Sequence, residues 1–118
     1  MKVLIVDDSR MIRLLVKDFL TNLEHETIEA ENGQIALEVV SQENPDLILL
    51  DYNMPVMDGP TFLKNYKGMK RGEIPIIMMT TESSMDKIQE MVKMGVSEYI
   101  MKPFDQTILA EKIAQVKG

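Results

Sequence analysis

The chain contains no cysteine. That excludes a disulfide framework, a thiolate metal site and dithiol redox chemistry, and it suits a reducing compartment. Histidine occurs once, at His25, so a nitrogen-rich zinc set is excluded as well. No apolar run approaches the length of a membrane span, and the stretch Val3–Val6 is too short for the apolar core of a secretory leader. A cytoplasmic protein without membrane insertion is the expectation. Positive charge is scarce: 13 Lys and Arg stand against 19 Asp and Glu, a net charge of −6. A nucleic-acid partner needs a basic stripe, which is missing. The cluster Lys67, Lys70 and Arg71 around Gly68 and Gly72 reads as a solvated loop. No Gly-x-Gly-x-x-Gly or Gly-x-x-x-x-Gly-Lys follows the first apolar run, so no loop cradles a pyrophosphate. This argues against a nucleotide- or flavin-binding module.

What remains is an ordinary globular composition, 45% hydrophobic and 27% charged over 118 residues. That is one domain, residues 1–118, with no internal repeat, linker or low-complexity tract. Apolar runs alternate with helical patterns throughout. Val3–Val6, Thr27–Ala30, Leu47–Leu50, Ile74–Met79 and Tyr99–Met101 read as strands, with Pro75 near the start of the fourth. Helices are expected from Arg10 to Leu23, around Ile35–Val40, after Asp58-Gly59-Pro60, from a cap at Ser83 or Ser84 to Gly95, and after a cap at Asp105. On the fourth helix Met85, Ile88, Met91 and Val92 form the expected sheet-facing stripe. Met94 lies beyond it as a candidate for partner contact. Five strands alternating with five helices predict an α/β fold, a single doubly wound five-stranded parallel sheet.

In such sheets ligands gather beyond the carboxyl ends of the strands. The first apolar run ends in Asp7 and Asp8, the third in Asp51, the fourth in Thr80 and Thr81, the fifth in Lys102. Clustered carboxylates repel one another and call for a cation. Oxygen ligands with open positions suit Mg²⁺, and Mn²⁺ could substitute. A cation beside a carboxylate, a hydroxyl and a lysine is the equipment of phosphoryl transfer. Asp51, delivered singly by a central strand, is the candidate nucleophile for an aspartyl phosphate. The paired Asp7 and Asp8 are better placed to hold metal. Lys102 and Thr80 would hydrogen-bond the phosphoryl oxygens. His25, before the second strand, is expected at the opposite edge.

The pieces Val6-Asp7-Asp8-Ser9, Leu50 to Gly59, Met79-Thr80 and Lys102-Pro103-Phe104 together resemble the receiver domains of two-component response regulators, over essentially the whole chain. The segments Asp51–Gly59 and Tyr99–Phe104 are most similar to chemotaxis-type members. The resemblance implies a flavodoxin-like strand order 2-1-3-4-5. It implies that Asp51 is the phosphoacceptor and that Asp8 and Asp51 ligate Mg²⁺ through side chains. Asn53 would do so through its backbone carbonyl, and Asp7 largely through metal-bound water. Lys102 and Thr80 would contact the phosphoryl group, Thr80 and Tyr99 would act as the switch, and Lys102-Pro103 would be a cis peptide. Thr81 stands where the family usually has a smaller residue; with Asn53 and Glu82 it is expected to modulate dephosphorylation. Pro60 also replaces a common apolar residue.

The implied protein is no enzyme in the ordinary sense but a stand-alone, monomeric phosphoacceptor that promotes only its own phosphorylation and dephosphorylation. Its donor would be a cognate histidine kinase. Its output would leave by the fourth helix, fifth strand and fifth helix, first to a flagellar motor switch protein in chemotaxis. The alternatives are a phosphorelay carrier serving a histidine phosphotransfer protein, or an adaptor. A haloacid-dehalogenase-type phosphohydrolase is disfavoured, because such enzymes place the nucleophile in an early Asp-x-Asp and the paired acids late.

Overall fold

A computed structural model describes residues 1–69, 74–81 and 84–117. Ten elements alternate: β1 (Lys2–Val6), α1 (Arg10–Asn22), β2 (Glu26–Ala30), α2 (Gly33–Glu43), β3 (Leu47–Asp51), α3 (Gly59–Gly68), β4 (Ile76–Thr80), α4 (Met85–Lys93), β5 (Glu98–Met101) and α5 (Gln106–Lys117). The five strands form one parallel sheet in the order β2-β1-β3-β4-β5. This is the order implied by the resemblance.

Apolar residues run continuously along the central strands because both faces of the sheet are covered. Successive side chains point to opposite faces. Leu4, Val6, Ile48, Leu50 and Met78 therefore meet Ala36 and Val40 of α2, Phe62, Leu63 and Tyr66 of α3 and Met91 of α4. Val3, Ile5, Leu49, Ile77, Met79 and Ile100 meet Val16 and Leu20 of α1 and Leu109 and Ile113 of α5. The helices start at polar caps. Ser9, Asn32, Asp58 and Asp105 accept from the backbone N–H groups of Ile12, Ile35, Thr61 and Ile108 at 3.3, 2.9, 2.9 and 2.8 Å. Ser84 occupies the N-cap position of α4, whereas Ser83, the other expected cap, lies outside the described residues. Pro60 falls in the first turn of α3, where its missing N–H costs nothing. Gly95, at φ 99°, ends α4 in a left-handed conformation that a side chain disfavours.

Three expectations need correction. The fourth strand runs Ile76–Thr80 rather than Ile74–Met79; Pro75 falls just outside it, and its carbonyl accepts from Ile48 at 3.0 Å. On α4 only Met91 is buried; Met85 and Val92 are 66% and 57% exposed. Met94, expected outside the stripe, packs against the core instead. The helical period identified the apolar stripe but not how much of it is buried: a short helix on the sheet's rim presents one edge of that stripe to solvent.

Truncation should separate these environments. Phe62 is fully buried and stacks on Tyr66 with ring centroids 5.8 Å apart. Phe62→Ala should cost about 3–5 kcal/mol in urea unfolding, and Met85→Ala less than about 0.5 kcal/mol. Equal losses would contradict the assignment of α4.

Candidate functional site

Register places the chemistry. Val6 lies opposite Leu50, Asp51 opposite Met79, and Thr80 opposite Met101. The residues that end or follow these strands therefore emerge at one edge of the sheet. Asp7, Asp8 and Asp51 each offer a carboxylate oxygen, all within 4.8 Å of one another. Asp7 and Asp51 are buried, as is Thr80, while Asp8 is exposed. Lys102 reaches across from β5: its Nζ donates to Asp7 Oδ2 at 2.8 Å and to Asp51 Oδ1 at 2.9 Å. Its own backbone N–H donates to the Thr80 carbonyl at 2.8 Å. The Lys102-Pro103 peptide is cis.

The loop after β1 is built to hold acids. The Asp7 N–H donates to the Ala30 carbonyl at 3.1 Å, and Ser9 N–H donates to Asp7 Oδ1 at 2.9 Å. The loop after β3 folds back on the strand. Tyr52 N–H donates to the Met79 carbonyl at 3.0 Å, and Gly59 N–H to the Tyr52 carbonyl at 2.9 Å. A Cβ at Gly59 would stand 2.8 Å from the Asp51 carbonyl oxygen, so a side chain there would push the acid's own backbone aside. Val56, in the same loop, has a φ of 69°, rare for a β-branched residue.

The electrostatics follow from burial. Asp51 is pushed up to about 6, chiefly because burial disfavours its charge. The Lys102 hydrogen bond opposes that rise, and the charges of Asp7 and Asp8 add to it. For Lys102 burial works against the charge, but hydrogen bonds to Asp7 and Asp51 outweigh it, and its pKa is raised. One ammonium thus stands among three carboxylates, a net negative charge in a half-dry site.

That donor set fits a hard divalent cation. It is all oxygen, with Asp8 open to solvent beside a polar cleft of about 350 Å³ lined by Asp8, Asn53, Met54, Pro55 and Asp58. Asn53 is exposed and borders the same cleft. On the other side Thr81, exposed, and Lys102 border an apolar groove of about 280 Å³ with Ile12, Leu15, Val16, Pro103 and Phe104. Glu82 lies outside the described residues. Tyr99 is half-buried on β5; the Lys112 ammonium stands 5.2 Å from its ring centroid and pairs with Glu98 at 3.3 Å. His25 sits at the far edge, Nδ1 3.1 Å from the N-terminal ammonium. Nothing in the hydrophobic pattern had singled out Lys112, Glu98 or Arg13, whose Nη1 donates to the Asp7 carbonyl. They are surface-type residues whose partners come from other elements.

The chain belongs to the response regulator receiver domain family, whose description matches residues 3–114. A chemotaxis protein CheY homolog from Campylobacter jejuni is 40% identical over 121 aligned residues, covering 100% of this chain and 93% of that protein. The sporulation initiation phosphotransferase F of Bacillus subtilis is 41% identical, covering 88% of this chain and 83% of its own length. The solved structure of the chemotaxis response regulator CheY4 of Vibrio cholerae superposes with a TM-score of 0.91 at 38% identity, covering 98% of this chain and 97% of that one. Receiver domains are signalling proteins rather than ordinary enzymes, which agrees with the expectation from the sequence. Among the described residues no helix is long and apolar enough to cross a membrane.

A pH test follows from Asp51. Its folded pKa of about 6 exceeds the ordinary 3.8, so the folded state holds the extra proton between those values. The stability contributed by that proton is full below about pH 4 and is lost as pH rises through about 6. Asp51→Asn removes this dependence. In chelator, the stability of Asp51→Asn relative to wild type should rise between about pH 4 and pH 7 by about 1–3 kcal/mol. A difference independent of pH would contradict the assignment.

Proposed function

We propose that this receiver domain accepts a phosphoryl group on Asp51 from a histidine kinase, in a Mg²⁺-dependent reaction. The observation that carries this reading is the shared ammonium: Lys102 bridges Asp7 and Asp51 at 2.8 and 2.9 Å, within a cluster of three acids. Asp8 and Asp51, with the backbone carbonyl of Asn53, would hold the cation, and Asp7 would act through its bound water. The cation supplies neutralisation of charge on the transferring oxygens. An Asp51 carboxylate oxygen then bonds to phosphorus as the phosphorus–nitrogen bond of the donor phosphohistidine breaks. Lys102, already against the Asp51 oxygen, hydrogen-bonds an incoming phosphoryl oxygen, and Thr80 moves onto another. Asn53 and Thr81 border the clefts on either side of the site and, with Glu82 as the resemblance implies, set the lifetime of the phosphoryl group.

The apolar groove beside Lys102 suits a helical donor domain. It is continuous with α1, where Met11, Leu14 and Leu15 are 80%, 50% and 46% exposed. The output face is the α4-β5-α5 surface. Each of these elements exposes large apolar side chains: Met85 and Val92 on α4, Met101 on β5 and Ile108 on α5. Phosphorylation adds charge and acceptor oxygens beside Thr80, and movement of Thr80 lets Tyr99 turn, a two-state element between site and surface. Similarity to chemotaxis proteins favours a flagellar motor switch protein as the receiver of the signal. Similarity to a sporulation phosphotransferase supports a second reading, a phosphorelay carrier serving a histidine phosphotransfer protein.

Incubation with Mg²⁺ and acetyl phosphate should give one hydroxylamine-sensitive label, at Asp51. Chelator or Asp51→Asn should abolish it, and Lys102→Ala should reduce its rate at least about a hundredfold. Catalytic turnover of a phosphomonoester, or a label elsewhere, would overturn the proposal.

A further inference from the structure

We infer that Arg13 is a positioning residue that fixes the peptide plane joining the two acids of the β1–α1 loop and thereby sets the cation affinity of the site. The inference rests on reading the acid cluster as a Mg²⁺ site.

Arg13 lies one turn into α1, where its backbone N–H makes the helix's first bond, to the Ser9 carbonyl at 3.0 Å. Its side chain, 13% exposed, turns back toward the end of β1. Nη1 donates to the Asp7 carbonyl at 2.6 Å, and Nε donates to Glu29 Oε1 on β2 at 3.1 Å. The Asp7 carbonyl belongs to the peptide that carries the Asp8 N–H. Gripping that oxygen fixes the plane from which the Asp8 side chain departs.

The Asp7 N–H donates to the Ala30 carbonyl and the Asp7 carboxylate accepts from Ser9 N–H and Lys102, contacts that restrain Asp7 rather than the Asp8 side chain. Asp8 is the exposed acid of the three, so its orientation depends most on the backbone that carries it. The guanidinium meets this task because its planar fork serves two acceptors at once, the carbonyl and the Glu29 carboxylate; an ammonium at the end of a flexible stem does not reproduce that geometry. Outer partners of metal ligands commonly change affinity about 10- to 100-fold when removed.

Charge and position pull in opposite directions here. Arg13 is a cation near an anionic site, so by Coulomb's law its removal should tighten Mg²⁺ binding. A loss of order in Asp8 should weaken it. The sign of the change therefore distinguishes the two roles.

The experiment is calorimetric titration of the intact protein with magnesium chloride. Arg13→Met and Arg13→Lys should each weaken binding about tenfold, although the lysine keeps the charge. Val40→Ala, a remote core truncation, should keep wild-type affinity despite its lower stability. Glu29→Asp, which keeps the charge but draws the carboxylate back from Nε, should weaken binding about threefold and carries the test if the Arg13 variants do not fold. Wild-type or tighter affinity in folded Arg13 variants, or in Glu29→Asp if only that variant folds, would overturn the inference. Failure of the wild-type protein itself to bind Mg²⁺ would overturn the reading of the site, and the inference with it.

Discussion

The structure depends on one arrangement of charge: a single ammonium, Lys102, held between two buried carboxylates at the carboxyl edge of a parallel sheet. Asp7 and Asp51 leave β1 and β3 side by side because those strands pair in register. Lys102 reaches them from β5, two strands beyond β3, with its backbone tied to Thr80. One positive charge does not balance three negative ones. Burial first, and the charges of Asp7 and Asp8 after it, raise Asp51 to about 6, while Asp8 stands open at the surface. That donor set fits a second cation, and the sheet around it supplies the rigidity that positions these groups.

Much of this was legible in the sequence for a definite reason. A strand covered on both faces must be apolar along its whole length, so a polar residue ending such a run marks where the strand leaves the core. Asp7, Asp51, Thr80 and Lys102 each ended or followed one, and all four meet at one edge. The cap Asp105 was legible because an unsatisfied helix N-terminus selects an oxygen acceptor at a fixed offset. Asp58-Gly59 also marks a close approach: the glycine passes within side-chain contact of the Asp51 backbone.

The parts that were not legible involve contacts between elements distant in sequence. Arg13 reads as a charged helix residue until the ends of β1 and β2 are placed beside it. Lys112 reads as a solvated α5 residue until it is found over Tyr99. Met85 and Val92 share an arc with Met91, yet the sheet is too narrow at that rim to cover all three. Amphipathic period reports the direction of a helix's apolar face; how much of it is buried depends on the neighbouring elements. The same two residues, with Met101 and Ile108, leave large apolar side chains exposed on α4, β5 and α5.

The most direct test of the charge arrangement is the titration of the Asp51 side-chain carboxyl carbon by NMR, in chelator and in Mg²⁺. The account expects a midpoint of about 6 without the metal and a clear fall when Mg²⁺ is added, because a bound cation favours the ionised form. An Asp51 midpoint unmoved by saturating Mg²⁺ would contradict it.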